Sequence, residues 1–432
     1  MWRSRFLIRL SSAALLAPLF VGAGPLTAHA AQIPIDHVVV LMQENRSFDS
    51  YLGRLHFQGQ PHSLPEPPGA QNPDPTNPGG PPIHVFAKTQ YCEVADLNHS
   101  WNGTHQEING GRMNGFTAAN VDVNDPTGSR AMGYYDQPDL PYYYALYNTF
   151  AMGDRYFASA PTQTFPNRLY LLAGTSFGHI RNDNFPPVQG QFSQRSVFDS
   201  LDEAGISWKV YAAQYPLAIP FLFSRVRETA DFFKVFPVSK YFQDAAAGTL
   251  PQVAFIDPIY VAPNNIENDE HPPANVQVGE KFTSQVISSL FASPNWGSSA
   301  LFLTYDEHGG FYDHVAPPAA VTPDDIPPML QPGDVPGAFD TYGVRVPAVV
   351  ISPYSRSHFV SHVVNDHTSI LRFIETRFGL PALTRRDAAA NPMLEFFDFS
   401  HQTFATPPAL PEAPVFAAQA AYCNTVPSNT LP

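Results

Sequence analysis

Two pairs of oxygen-bearing side chains each come at most one residue after an apolar run of the sequence. The pairs are Glu44-Asn45, after the run Val38–Met42, and Asp306-Glu307, after the run Leu301–Tyr305. Because ligands bind at the carboxyl ends of the strands in a parallel α/β sheet, we expect the four side chains to lie together. Four hard oxygen donors would hold a divalent cation, and such a cation can activate a hydroxyl against phosphorus. Taken alone, either pair could equally be an unrelated polar turn.

A candidate nucleophile is Thr164, which we predict to lie in a turn just ahead of a bend fixed by Pro166. A threonine hydroxyl is inert at neutral pH unless a metal or a base activates it. Next to the expected cation it could attack phosphorus and form a covalent phosphothreonine. The alternative is an ordinary turn in which Asn167 and Arg168 bond loop carbonyls.

Two histidines, His99 and His271, lie in polar, turn-rich segments and not on apolar helix faces. A protonated imidazole at such a position could neutralise phosphoryl charge and give a proton to the departing oxygen. The alternative for each is a surface histidine without a role in chemistry. Asp313-His314 is either a further partner of this site or a buried Asp–His pair that rigidifies its loop.

The segments that would position these residues alternate between two patterns. Five have the β-branched and aromatic composition of buried strands: Ile35–Met42, Ser207–Tyr211, Val253–Ile256, Ala300–Tyr305 and Val346–Ile351. Three have helical periodicity or helix end signals: Ser196–Ala204, Glu280–Ala292 and Thr368–Phe378. This alternation predicts an α/β domain, doubly wound, with a mostly parallel sheet and helices on both faces.

The ends of the chain have other compositions. Residues 1–30 combine a basic start, a short apolar stretch and the small-residue pattern Ala28–Ala30, which predicts a signal peptide cleaved near Ala30 and export to the periplasm or beyond. Residues 31–390 would form a single elaborated catalytic domain, and residues 391–432 an irregular tail. Phe57–Pro82, rich in Pro and Gly, predicts a long surface loop.

The charge and cysteine content narrow the possible partners. A net charge of −14 argues against nucleic acid, because phosphate backbones require clustered Lys and Arg. No segment beyond the leader reaches the length needed to span a bilayer, so we expect at most peripheral membrane contact. In an exported chain the two cysteines, Cys92 and Cys423, are more typical of a disulfide than of a metal site, and their pairing would tie the tail to the body.

Three motifs, taken together, resemble the signatures of one enzyme family. They are Glu44–Asp49 with Gly53, Thr164–Arg168, and Asp306–Val315. The family is the phosphoesterase family of bacterial phospholipases C, plant non-specific phospholipases C and related acid phosphatases. Shorter segments are similar to it as well: His99–Trp101 with Asn109–Gly111, Asp269–Pro273, and Asp366–Ser369. The resemblance runs roughly from Ile35 to Leu380.

The resemblance implies a fold similar to alkaline phosphatase and a metal-assisted phosphoryl transfer with a Thr or Ser nucleophile. It implies that one divalent metal ion is held by Glu44, Asn45, Asp306 and Glu307. It implies Thr164 as the nucleophile, with the phosphoryl group or the leaving group handled by Asn45, His99 and His271. Oxygen ligands accept Ca²⁺, Mg²⁺, Mn²⁺ and, less readily, Zn²⁺, so the metal stays open. The role of His367 is open too.

The substrate expected from the resemblance is a phospholipid, with soluble phosphomonoesters, as for an acid phosphatase, as the alternative. Well-known bacterial phospholipases C of the family carry long β-rich C-terminal extensions, whereas this chain ends about fifty residues beyond Leu380. The aromatic segment Trp208–Phe242 could line an acyl-chain cleft or cage a choline group. Core and loop packing is the interpretation we favour for it.

Two other functions deserve comparison. Gly174–Gly178 matches G-x-S-x-G of serine esterases, but such a nucleophile elbow needs a helix straight after Ser176, and the proline-rich sequence that follows does not favour one. A non-enzymatic periplasmic binding protein would also use oxygen clusters, but would not need Thr164 or the histidines around one cation.

Overall fold

An eight-stranded mixed sheet lies at the centre of the unit formed by Pro34–Pro432. The computed structural model describes residues 1–2, 33–182, 191–214, 219–260 and 266–426, so nearly all of the predicted signal peptide lies outside the described residues. The described strands are β1 (His37–Gln43), β2 (Gln71–Asn72), β3 (Ile83–His84), β4 (Phe86–Ala87), β5 (Gly133–Tyr134), β6 (Ala151–Gly153), β7 (Trp208–Ala212), β8 (Val235–Pro237), β9 (Val253–Asp257), β10 (Ser299–Tyr305), β11 (Ala348–Ile351) and β12 (Val360–Ser361).

The order of the strands in the main sheet is β12-β6-β11-β10-β1-β9-β7-β8. From β10 to β8 every neighbouring pair is parallel, and β12 is parallel to β6. The central strands β1, β9 and β10 are almost wholly buried, which requires cover on both faces of the sheet. The predicted α/β class with a mostly parallel sheet is confirmed.

Strand β11 departs from the parallel pattern, because it runs antiparallel to both β10 and β6. The described connection from β10 to β11, residues 306–347, contains no helix. A parallel neighbour needs a crossover that returns the chain to the starting edge, whereas an antiparallel one does not. β11 therefore begins at the end of the sheet where β10 finishes and runs back in the opposite direction.

The helices supply the layers that cover the sheet. They are α1 (Phe48–Leu52), α2 (Trp101–Ile108), α3 (Phe116–Ala119), α4 (Pro141–Thr149), α5 (Thr164–Ala173), α6 (Val197–Glu203), α7 (Ser224–Glu228), α8 (Ser239–Ala247), α9 (Val276–Phe291), α10 (His367–Phe378), α11 (Arg385–Ala389) and α12 (Ala417–Cys423). Helices α5, α6, α10 and α11 form one set of contacting neighbours, and α4, α8 and α9 form another. No helix in the described ranges has both the length and the apolar composition needed to cross a membrane.

The three predicted helices are present as α6, α9 and α10, each within a few residues of its expected bounds. The turn predicted at Thr164 is wrong, because Thr164 is the first residue of α5. Pro166 does not prevent this helix, since a proline within the first turn removes an N–H that has no partner in the helix anyway. Gly174, at φ +72°, ends it.

The C-terminal tail is more ordered than the irregular segment expected from its prolines. Helix α12 lies within it, and a disulfide joins Cys423 at the end of that helix to Cys92. The side chain of Gln419 donates to the carbonyl oxygen of Thr89 at 2.8 Å, so the tail also bonds the chain just before Cys92. Phe57–Pro82 is mostly exposed, as predicted for a surface loop; the buried residues within it are Gln60, Ser63, Glu66, Ala70 and Asn72.

A buried ion-pair cluster ties the loop after β10 to α1. Arg345 is fully buried, and its guanidinium lies 2.9 Å from Asp49 and 2.9 Å from Asp313. His314 contacts Asp49 at 2.6 Å. Burial tends to raise the pKa of Asp49, but Arg345 and His314 outweigh burial and lower it. Asp313 and His314 therefore belong to a structural cluster around Arg345 and Asp49.

Replacing Arg345 by Met should destabilise the protein strongly, because two carboxylates would stay buried without their cation. We expect the free energy of unfolding to fall by about 3–5 kcal/mol, measured by urea denaturation. Arg385→Met is the matched control, since its partner Asp325 is 94% exposed, and it should cost at most about 1 kcal/mol. Equal losses in the two variants would contradict the role given to the cluster.

Candidate active site

The two predicted oxygen pairs meet because β1 and β10 are parallel neighbours that end side by side. Gln43 pairs with Tyr305 at the last position of the ladder, so each oxygen pair follows at the same edge of the sheet. The backbone N–H of Asn45 donates to Asp306 Oδ1 at 3.1 Å, and that of Glu307 donates to the same oxygen at 2.7 Å. The strand ends thus form one buried group of acidic and amide oxygens.

The guanidinium of Arg168 joins the two halves of this group. Its Nη2 donates to Glu44 Oε1 at 3.1 Å, and its Nε lies 3.4 Å from Asp306 Oδ2. The same Nη2 also contacts the carbonyl oxygens of Met42 and Gln43 at the end of β1. Arg168 therefore bonds carbonyls, as the alternative interpretation of its motif held, and in addition balances part of the carboxylate charge.

Of the three carboxylates at the strand ends, Glu44 and Asp306 still lack positive charge, whereas His99 and His308 lower the pKa of Glu307 to about 2. Burial, reinforced by repulsion from Asp306, raises the pKa of Glu44 to about 8. Burial, with Glu307 adding to it, raises the pKa of Asp306 to about 6 in spite of Arg168. Buried oxygens Asn45 Oδ1 and Asp306 Oδ2 accept no hydrogen bond from the described residues. These hard oxygen donors could hold a divalent cation. Among the described residues, however, the groups whose ligand atoms all lie within 4.8 Å of one another are Asp96, His99 and His271, and Asp49, Asp313 and His314.

Thr164 is the first residue of α5, the helix that also carries Arg168. Arg168 is four residues later and so lies on the same face, one turn further on. The hydroxyl of Thr164 is buried and makes no hydrogen bond among the described residues. A helix N-terminus also favours a bound anion, since its first N–H groups point outwards along a positive dipole.

His99 and His271 lie together and are buried, which contradicts the alternative of two surface histidines. Their ring centroids are 5.8 Å apart. His99 Nδ1 contacts Glu307, and its Nε2 lies 3.1 Å from Asp96. Burial opposes protonation of His99, but Glu307 and Asp96 outweigh it and raise its pKa well above the usual value. The two carboxylates beside His99 therefore favour the charged form of its ring.

Asp96 is a site residue that the sequence analysis missed. Its carboxylate lies 3.1 Å from His99 and 3.7 Å from His271, so it connects the two rings. Burial lowers the pKa of His271, and Asp96 only partly offsets that effect. The available signal was an acidic residue three positions before His99, but such spacing is common in loops and gives no direction for the side chain.

Besides its contact with His99, Glu307 is held by a series of buried contacts that involve Gly309 and His308. Its Oε2 accepts from the backbone N–H of Gly309 at 2.7 Å and lies 3.2 Å from His308. His308 in turn contacts Glu107, a second partner that the sequence did not indicate, at 2.7 Å. Gly309 has φ +65°, and a Cβ there would lie 2.4 Å from the carbonyl oxygen of Asn45. Only glycine fits this close approach.

His367 holds the backbone of Asp306 in place through a hydrogen bond. Burial lowers the pKa of His367 to about 4, so its ring is neutral. Its Nε2 donates to the carbonyl oxygen of Asp306 at 2.6 Å, which leaves Nδ1 to accept from the hydroxyl of Tyr156 at 3.2 Å. This histidine contributes through the backbone of the strand end.

Two further sequence features, Ser176 and the aromatic segment Trp208–Phe242, supply none of the contacts described above. Ser176 follows helix α5, and a turn and irregular backbone come after it as far as residue 182, so the strand, nucleophile and helix order of an esterase elbow is absent there. The described parts of the aromatic segment, residues 208–214 and 219–242, include β7 and β8 at the edge of the sheet, where the hydroxyl of Tyr211 donates to Asp244 at 2.7 Å. Ile219 and Pro220 of the segment line a cavity together with Arg168.

Comparison with known proteins identifies the family. The description "Phosphoesterase family" matches residues 35–381. The chain belongs to the phosphoesterase family. The resemblance predicted from the three motifs is thereby confirmed, and this phosphoesterase is a phosphoric ester hydrolase.

Several relatives have similar sequences over most of this phosphoesterase. Non-specific phospholipase C1 of Arabidopsis thaliana is 34% identical, covering 85% of this chain and 72% of its own. Phospholipase C A of Mycobacterium tuberculosis is 34% identical, covering 90% and 80%. A crystal structure of an alkaline phosphatase superfamily protein from Vibrio parahaemolyticus matches with a TM-score of 0.35 and 8% identity, covering 79% of this chain and 77% of its own.

Replacing Asp96 by Asn should lower the pKa of His99, because one of the two carboxylates that hold its proton becomes neutral. The measurement is a histidine NMR titration of the full chain. Asp122→Asn is the control, since Asp122 is an acid of a neighbouring loop that pairs with Arg130 and not with His99. An unchanged His99 titration in the Asp96 variant would show that Glu307 alone holds the proton.

Proposed function

We propose that this phosphoesterase is an exported, metal-dependent phospholipase C that works through a phosphothreonine at Thr164. The observation that carries the proposal is the buried group at the ends of β1 and β10, together with a helix whose first residue, Thr164, has a buried hydroxyl that makes no hydrogen bond within the described part of the chain. Relatives covering most of the chain are named phospholipases C, which supports a glycerophospholipid as the substrate.

The residues that would hold the divalent cation are Glu44, Asn45, Asp306 and Glu307. When bound, the cation supplies positive charge that activates an oxygen nucleophile and neutralises a phosphate ester. The fit rests on the raised pKa values of Glu44 and Asp306 and on the buried oxygens without hydrogen bonds.

The chain's own groups then account for the transfer. Thr164 gives its hydroxyl proton to solvent, and its Oγ1 forms the bond to phosphorus while the bond from phosphorus to the alcohol oxygen breaks. The positive end of the α5 dipole favours the phosphoryl oxygens, and the Asn45 amide helps to orient them. His99, kept protonated by Glu307 and Asp96, gives a proton to the departing oxygen, and His271 lines the same side. Water then cleaves the phosphothreonine and restores the hydroxyl.

Export is supported by the disulfide between Cys92 and Cys423, because disulfides persist in oxidising compartments. It agrees with the basic and apolar leader at residues 1–30, whose cleavage we propose near Ala30.

Replacing Thr164 by Ala should abolish turnover, with a loss of at least about a hundredfold in kcat, because no other group supplies the attacking oxygen. Substrate binding should persist, and a radiolabelled phosphoenzyme should be trapped by acid quenching in the native protein and not in the variant. Thr164→Ser is the matched control, since it keeps the hydroxyl and should keep partial activity. A Thr164→Ala protein with the native rate would refute the nucleophile, and native binding without any turnover in the wild type would indicate a binding protein.

The substrate class and the metal requirement can be tested in one panel. Purified mature protein should hydrolyse phosphatidylcholine vesicles or micelles, should lose that activity in a chelator, and should regain it when one of Ca²⁺, Mg²⁺, Mn²⁺ or Zn²⁺ is restored. A soluble phosphodiester and a phosphomonoester complete the panel. Hydrolysis of the monoester alone would assign an acid phosphatase instead, and full activity in chelator would contradict the metal site.

A further inference from the structure

An exposed apolar loop, Val321–Val335, lies in the connection between β10 and β11. It exposes five large apolar side chains within fifteen residues: Val321, Ile326, Met329, Leu330 and Val335. Their exposed fractions run from 36% to 46%. Isolated apolar side chains are ordinary on protein surfaces, whereas a cluster of this density marks a contact surface.

The loop is held in place from beneath by polar contacts of its backbone and its acids. The N–H of Met329 donates to the carbonyl oxygen of Gly178 at 2.8 Å, and the N–H of Gln331 donates to Asp334 at 2.6 Å. Asp334 is also paired with Arg181. The side chains of Ile326 and Met329 lie partly against Gly178 and keep 41% and 45% of their surface exposed. The loop thus presents partly exposed apolar side chains, together with the exposed Asp325, which pairs with Arg385.

The same contacts place the loop beside the candidate active site. The indole N–H of Trp101 donates to the carbonyl oxygen of Val335 at 2.9 Å, and Trp101 begins α2 two residues after His99. The loop's second attachment, around Gly178, leads to Asn182, whose side chain accepts from the N–H of Phe165 at 2.9 Å. Phe165 is the residue after Thr164. The loop is therefore fastened to both segments that carry the proposed catalytic groups.

We propose that the apolar loop is the surface by which this protein docks on a neutral phospholipid interface. The inference rests on the proposed function, and it names the part of the molecule that brings the site to a lipid substrate. Residues 315–340 contain no Lys or Arg, and the whole chain has a net charge of −14, so attraction to an anionic surface is not available. Aliphatic side chains leaving water for the lipid boundary supply the binding free energy.

The test compares the native chain with the triple variant Ile326→Ser, Met329→Ser, Leu330→Ser. Binding is measured by co-sedimentation with phosphatidylcholine vesicles, and activity is measured on those vesicles and on a short-chain phosphatidylcholine below its critical micelle concentration. We expect vesicle binding and vesicle hydrolysis to fall by about tenfold or more, because three apolar side chains no longer enter the lipid. Hydrolysis of the dispersed short-chain lipid should stay unchanged, since the site itself is intact.

Phe233→Ser is the matched control, because Phe233 is 76% exposed but precedes the edge strand β8, far along the sheet from β1 and β10. Its vesicle binding should equal that of the native chain. Native-like vesicle binding by the triple variant would overturn the proposal, and so would binding that requires anionic lipid. Light scattering that shows a native dimer and a monomeric triple variant would assign the loop to a second copy of the chain instead.

The outcome of this test is separable from that of the proposed function. If no phospholipid is hydrolysed but vesicle binding still depends on the loop, the docking surface stands and the phospholipase proposal fails. If both lipid forms are hydrolysed equally by the native and the triple variant, the phospholipase proposal stands and the docking surface is refuted.

Discussion

The need to balance buried negative charge at the ends of β1 and β10 governs the arrangement around the site. Parallel neighbours lie about 5 Å apart, so the acids that follow them are forced close together. Repulsion between such groups grows as water is removed. Arg168 is the cation that reaches both Glu44 and Asp306, and the raised pKa values of the two acids show that one guanidinium does not suffice. The remaining charge demands either protons or a metal ion.

The charge of Glu307 is balanced by neighbouring histidines, and each histidine is paired with a second acid. Glu307 is neutralised by His99 on one side and by His308 on the other, and each histidine has a further acid behind it, Asp96 or Glu107. Alternating acids and imidazoles of this kind fix ring orientations as well as charge. Fixed and charge-balanced groups of this kind are what electrostatic preorganisation requires.

The central strands and the order of the motifs were predicted well from the sequence. The predictions were wrong where position in a helix or contacts between distant segments outweigh a local preference. Thr164 was expected in a turn because Pro166 follows it, yet the first turn of a helix tolerates proline. β11 was recognised as a strand, but its antiparallel direction depended on a connection without a helix. Helix α12 was missed in the proline-rich tail, whereas the pairing of Cys92 with Cys423 that anchors this tail was predicted and is confirmed.

By itself the sequence determined which residues can do chemistry and which strands carry them, because side-chain type and hydrophobic period are local properties. Glu44, Asn45, Asp306 and Glu307 were all named from the runs that precede them. Only the tertiary structure decided the partners: Arg168 between two carboxylates, Asp96 between two histidines, and a loop with partly exposed apolar side chains. These contacts join residues up to more than two hundred positions apart. Their geometry depends on strand register and loop packing, which local sequence patterns do not determine.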